Sequence, residues 1–64
     1  MQPDDQDKQI MNLLQKNARM TIREIAEAVG MTSTPVFERI RKLENAGYIE
    51  GYVALLNQDL LGYK

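Results

Sequence analysis

"TIREIAEAVGMTSTPVFERIRKLENAGYI", residues 21–49, contains two helix starts, two glycine stops and two separate apolar stripes. Thr21-x-x-Glu24 has the form of a capping box, in which the hydroxyl accepts from the third backbone N–H and the glutamate reaches back to the first. Ile22, Ile25, Ala26 and Val29 follow at three- and four-residue spacing, which gathers them on one helical face. Gly30 supplies a left-handed stop. Thr32 is placed to cap a second helix, and Pro35 falls in its first turn, where a missing N–H costs no helix bond. Val36, Ile40 and Leu43 form the new stripe, and Gly47 closes it. Two short helices joined by a tight turn are the outline of a helix-turn-helix.

Upstream, Asp4 reads as the cap of a first helix with Asp7 at its third position, and Ile10, Met11, Leu13 and Leu14 give that helix an apolar face before Asn17 ends it. Three stripes within one short chain have only each other to pack against. The expected core is Ile10, Leu13, Leu14, Ile22, Ile25, Ala26, Val29, Val36, Ile40 and Leu43, with Met20 and Met31 sealing its edges.

Downstream of Gly47 the period falls to two. Ile49, Gly51, Val53 and Leu55 alternate with Tyr48, Glu50, Tyr52 and Ala54, which predicts a strand. Asn57-Gln58-Asp59 then starts a helical turn, and no second strand follows. A lone strand exposes unpaired backbone groups, so strand 49–55 is expected to pair with its copy in a homodimer, with Tyr48 and Tyr52 in the dimer packing. The fold class is mainly α: a three-helix bundle with a winged-helix-like helix-turn-helix over residues 1–47, then one β-strand and a linker over residues 48–64.

Composition narrows the function. The chain has 64 residues and neither cysteine nor histidine, which removes disulfides, thiolate zinc sites and the commonest general base and metal ligand. Scattered carboxylates make no catalytic constellation, so neither an enzyme nor a cofactor is expected. The polar, acidic start Met1–Asp7 does not resemble a secretory signal and no stretch suits a membrane span, so the expected location is cytoplasmic.

The net charge of −1 runs against a nucleic-acid partner, but its distribution does not. From Lys8 to Ile49 there are seven basic and four acidic side chains, a balance of +3. Asp4, Asp5 and Asp7 lie at the opening of the first helix, where the helix dipole favours negative charge by roughly 0.3 to 1 kcal/mol each.

In a helix-turn-helix the second helix of the pair, here Ser33 to Ala46, lies in the major groove of double-stranded DNA. Thr34, Phe37, Glu38, Arg41 and Asn45 share the side opposite Val36, Ile40 and Leu43. Arg41 is the leading base reader, because its fork matches two acceptors on guanine; Ser33, Thr34 and Glu38 offer shorter contacts, and Phe37 could meet a thymine methyl. Arg39 and Lys42 sit on a flank suited to phosphates, where Arg23 and Thr32 could join them. Each has a plainer alternative: Thr21 and Thr32 as caps, Glu38 with Lys42 as an i, i+4 pair, Phe37 as packing, the cations as a solvated face. A small helical protein-interaction module is the competing function.

"MTSTPVFERIRKLENAGYIEGYVALLN" resembles the leucine-responsive regulatory protein/AsnC (Lrp/AsnC) family of bacterial and archaeal transcription regulators. "DKQIMNLLQKNARMTIREIAEAVG" is similar to that family's first two helices, and "GYIEGYVALLN" to the strand after its DNA-binding domain. The resemblance implies an N-terminal DNA-binding domain and a C-terminal domain that senses amino acids and assembles dimers into higher oligomers. Gly62-Tyr63-Lys64 resembles the point where that domain's first strand would begin. Effector response and higher assembly are therefore expected only of a longer protein.

Overall fold

Capping chemistry sets where each principal helix begins in the computed structural model, which describes residues 1–62. Helix α1 spans Asp5–Lys16, α2 Ile22–Val29 and α3 Ser33–Asn45. The Asp7 N–H donates to Asp4 Oδ1 at 2.8 Å while the Asp4 N–H donates to Asp7 Oδ2 at 3.1 Å. Thr21 and Glu24 make the same reciprocal pair at the head of α2, at 3.1 and 2.8 Å. Two orphan donors are satisfied at each start.

The third start differs from its expectation. Thr32 occupies the N-cap position of α3, but its side chain makes no cap hydrogen bond. Asp4 and Thr21 each cap the N–H of the third helical residue, and in α3 that residue is Pro35, which has no N–H to give. The proline that suits the first turn thus removes the donor that the other two caps use.

Gly30 ends α2 at φ 71° and ψ 34°, the left-handed conformation that a Cβ disfavours, and the Met31 N–H folds back to the Ala26 carbonyl at 2.9 Å. At the end of α3, Gly47 has φ 87°. The Tyr48 N–H reaches the Leu43 carbonyl at 3.0 Å and the Gly47 N–H reaches that of Glu44 at 3.1 Å, the paired bonds of a Schellman motif.

Each of the three helices packs against the other two. Ile10, Ile25, Val36 and Leu43 are fully buried, joined by Leu14, Ala26 and Ile40. Leu13, Ile22 and Val29, expected inside, are half-buried against this core, as are the edge residues Met20 and Met31 and, beyond α3, Ile49.

The expected strand 49–55 is not formed: among the described residues there is no β-structure, and residues 49–57 run without regular secondary structure. A ladder needs two strands, and one chain supplies one. Tyr48 donates to the Met1 carbonyl at 3.2 Å and Tyr52 to Glu44 Oε2 at 2.9 Å, although both rings stay about half exposed. The expected turn at Asn57 is present as α4, Gln58–Leu61, with the Leu60 N–H on Asn57 Oδ1 at 3.0 Å; it packs on none of the other helices. The strand start expected at Gly62-Tyr63-Lys64 falls on Tyr63 and Lys64, which lie outside the described residues.

The two threonine caps should separate in a denaturation experiment. Thr21→Ala is expected to cost about 1 kcal/mol of unfolding free energy and Thr32→Ala only a few tenths, read from urea midpoints at constant slope.

Candidate nucleic-acid interface

Helix α3 divides its surface cleanly. Val36, Ile40 and Leu43 point into the core, while Thr34, Glu38, Arg41 and Asn45 are exposed on the far side and Pro35 and Lys42 on the flank toward the head of α1. The 3.6-residue period forces this separation once the apolar stripe is buried. Thr32 and Ser33 are exposed at the helix head, and no part of the fold engages the Thr32 hydroxyl as a cap. Glu38 and Lys42 do not pair with each other, and Lys42 has no ion-pair partner among the described residues.

Arg41 and Phe37, one turn apart, form a unit. The Arg41 guanidinium carbon stands 5.7 Å from the Phe37 ring centroid, within cation–π range. Phe37 is 47% exposed, so it is neither a core residue nor wholly presented. Its ring borders a shallow cleft of about 300 Å³ that Leu14, Met20, Ile22 and Tyr52 also line. Packing against Phe37 limits the rotamers of Arg41 and leaves its N–H groups for a planar acceptor pair. On α2, Arg23 is exposed and loosely paired with Glu27, Nε to Oε1 at 3.8 Å.

Arg39 is placed differently from the other cations of α3. Its Nη1 donates to both carboxylate oxygens of Asp4 at 2.7 Å and to Asp7 Oδ1 at 3.0 Å. Asp7 is 4% exposed, the one buried charged side chain among the described residues, and its other oxygen serves the α1 capping box. The Arg39 hydrogen bonds, then the Asp7 N–H, hold the Asp4 carboxyl below the usual aspartate range. Bonding to Asp4 and then to Asp7 raises the Arg39 guanidinium in turn. On the other flank, desolvation first and the Glu44 carboxylate second push the Tyr52 phenol up.

Two capped helices joined at Gly30, the second presenting exposed cations away from the core, form a helix-turn-helix with an open outer face. A family model described as winged helix-turn-helix DNA-binding matches residues 3–50. The chain belongs to that family. Within the winged helix-turn-helix family it is similar to a leucine-responsive regulatory protein of Rhizobium meliloti, 51% identical over 57 residues, covering 89% of this chain and 36% of that one. Among solved structures, a transcriptional regulator from Neisseria meningitidis in complex with L-methionine superimposes with a TM-score of 0.90 at 35% identity, over 94% of this chain and 39% of the other. An AsnC-family regulator from Pyrococcus furiosus does so with a TM-score of 0.87 at 39% identity, over 92% and 38%. The chain spans about a third of the length of the curated relatives it matches. It is a winged helix-turn-helix DNA-binding domain, and the proteins it is similar to are transcription regulators of the Lrp/AsnC type rather than enzymes. Among the described residues no helix is long and apolar enough to cross a membrane.

The structure brings Thr32, Ser33, Thr34, Phe37, Glu38, Arg41 and Lys42 onto or beside one exposed face, with Arg23 on the preceding helix. It turns Arg39 toward the head of α1, in a cleft that Glu38 and Lys42 also line. Helical phase alone puts Arg39 on a flank. What phase cannot give is the neighbour on that flank, which is the head of α1 and its two carboxylates.

The Arg39 contact has a titration signature. A lowered Asp4 pKa means that the pair stabilises the fold above the ordinary aspartate range and that this stability is lost as pH falls through the lowered value. Replacing Arg39 with Met should move the Asp4 carboxyl midpoint upward toward the ordinary aspartate value, followed by carbon NMR of the carboxylates; an unmoved midpoint would mean that Arg39 is not the cause.

Proposed function

We propose that this domain binds double-stranded DNA sequence-specifically, with α3 in the major groove, as the DNA-reading part of a transcription regulator. The observation that carries this reading is the exposed face of α3, where Arg41 and Lys42 have no carboxylate partner among the described residues while the opposite stripe is buried. Arg41, steadied on Phe37, reads a base edge, with Thr34, Ser33 and Glu38 as shorter contacts. Lys42, Arg23 and the head of α3 at Thr32 meet phosphates. Helix heads suit phosphate because their first N–H groups point outward and the dipole favours negative charge there.

Two such domains act together. Val53, Leu55 and Leu56 beyond α3 are 79%, 97% and 67% exposed, and pairing of residues 49–55 with their copy in a second chain would give them neighbours and complete the strand. A dimer reads two half-sites about one helical turn apart, which multiplies selectivity. Residues 1–47 form the reading unit and residues 48–64 lead toward an effector-binding and assembling domain in a longer protein. An amino acid is the effector class that the methionine complex of the neisserial relative suggests. The cytoplasm is where such a regulator meets its operator.

The competing reading, a helical module that binds another protein, draws on the net charge of −1 and the apolar cleft beside Phe37. Salt response distinguishes the two. Phosphate contacts release counterions and weaken linearly in log–log form with salt, whereas an apolar interface does not.

Fluorescence anisotropy against a duplex enriched from a random pool, and against an unselected one, tests the assignments. Arg41→Ala is expected to cost roughly 1 to 3 kcal/mol on the enriched duplex and to relax preference at one base pair, while Lys42→Ala weakens both duplexes alike. Uniform loss for Arg41→Ala would remove it as a base reader. For the dimer, Val53→Pro takes away a ladder donor at an exposed position, so sedimentation should show the association lost with helicity retained; a monomer both before and after the change would end the strand-pairing proposal.

A further inference from the structure

The geometry points to a positioning role for Arg39: held by Asp4 and Asp7, it fixes the setting of α3 against α1 and so the aim of the reading face, without itself contacting DNA. The inference rests on the DNA reading above and adds to it residues on α1 and its cap.

Three charges meet here, one positive and two negative, at oxygen–nitrogen distances of 2.7 to 3.0 Å, in a cleft that Met1, Glu38 and Lys42 also line. A phosphate brought to Arg39 would have to displace two carboxylates already bonded to its Nη1. Lys42, on the next turn and exposed, is the phosphate contact on that side. The cluster is also built into the fold. Asp7 is buried, and Asp4 and Asp7 are already constrained by the α1 capping box, so the acceptors of Arg39 cannot follow the side chain if α3 moves.

Burial of Val36, Ile40 and Leu43 attracts α3 to the core but has little directional preference; a small rotation or slide keeps most of the apolar contact. Charge-assisted hydrogen bonds are directional and lose strength when misaligned. They supply the restraint that the aliphatic stripe lacks. A second tie acts the same way: the Tyr48 hydroxyl, just past α3, holds the Met1 carbonyl at 3.2 Å. The segment before α1 is therefore fastened to α3 at its middle and just beyond its end. Reading a base edge requires side chains held to about 0.5 Å, so loosening this brace would blur Arg41 before it unfolded the domain.

The test measures binding of the whole 64-residue chain to the enriched and unselected duplexes across a salt series, with helicity followed by circular dichroism. Lys42→Gln should lower the slope of log affinity against log salt by about 0.9, the signature of one lost phosphate contact. Arg39→Gln should leave that slope unchanged while reducing the preference for the enriched duplex about tenfold, the size of one mismatched base pair. Asp7→Asn should reduce the preference likewise, although removing an acid would by electrostatics alone strengthen binding to every duplex. Asp4→Asn protects against a folding failure, because asparagine caps a helix as well as aspartate and only the ion pair is weakened. Its preference should fall in the same direction with helicity unchanged. The Asp7→Asn, Arg39→Gln pair should lose no more than either alone.

A slope reduced by Arg39→Gln as much as by Lys42→Gln would make Arg39 a phosphate contact and overturn the inference. So would undiminished preference in Asp4→Asn and Arg39→Gln. If the unmodified chain bound neither duplex in a salt-dependent way, the DNA reading would fall first and the positioning role with it.

Discussion

The domain depends on sharing one small apolar core among three helices too short to persist alone. Helix α2 has eight residues, below the length at which isolated helices are stable in water, and it exists because Ile25 and Ala26 are buried between α1 and α3. The same burial leaves the rest of the chain unconstrained in a useful way. Once Val36, Ile40 and Leu43 satisfy the core, the far side of α3 has no folding duty, and its residues can be chosen for what they touch. A helix-turn-helix is thus a core problem solved on one side and a recognition problem left open on the other.

Charge is partitioned by the same geometry. A chain of net −1 is an unpromising ligand for a polyanion until its acids are located. Asp4 and Asp7 are consumed twice, by the cap of α1 and by Arg39, so they sit on the flank of α3 rather than on its outer face. Glu44 is tied to Tyr52 on the opposite flank. Glu38 is the acid that remains among the outward cations of α3, where a carboxylate can accept from a cytosine amino group and repels phosphate, favouring a particular register over general adhesion.

Much of this was legible in the residues themselves because it is local. Capping boxes at Asp4–Asp7 and Thr21–Glu24, glycine stops at 30 and 47, and the Asn57 cap all act within a few positions, and each is where its motif puts it. Thr32 shows how one local rule can weaken another: a proline standing third takes away the N–H that Asp4 and Thr21 use in their own helices, leaving a threonine cap only that of Thr34. The remaining misses are of longer range. Arg39 lies 35 positions from Asp4 and 32 from Asp7, and no periodicity connects them; only the crossing of α1 and α3 does. Opposite charges on helices known to share a core were the available signal, but they named no pair.

The segment after α3 shows the limit of reading period as structure. Alternation in Tyr48–Leu55 describes a surface that suits a sheet, yet a sheet is a property of two strands. In the single chain the Tyr52 hydroxyl instead binds Glu44, which fastens the start of the tail to the helix that carries Arg41. Beyond that tie the apolar side chains stand largely exposed: Val53, Leu55 and Leu60 are 79%, 97% and 86% bare. Apolar exposure on this scale is costly in water, so the tail is the part of the molecule whose conformation depends most on what surrounds it. Through Tyr52 the tail borders the cleft that Phe37 and Arg41 also line, so the start of the tail and the reading face share one piece of surface.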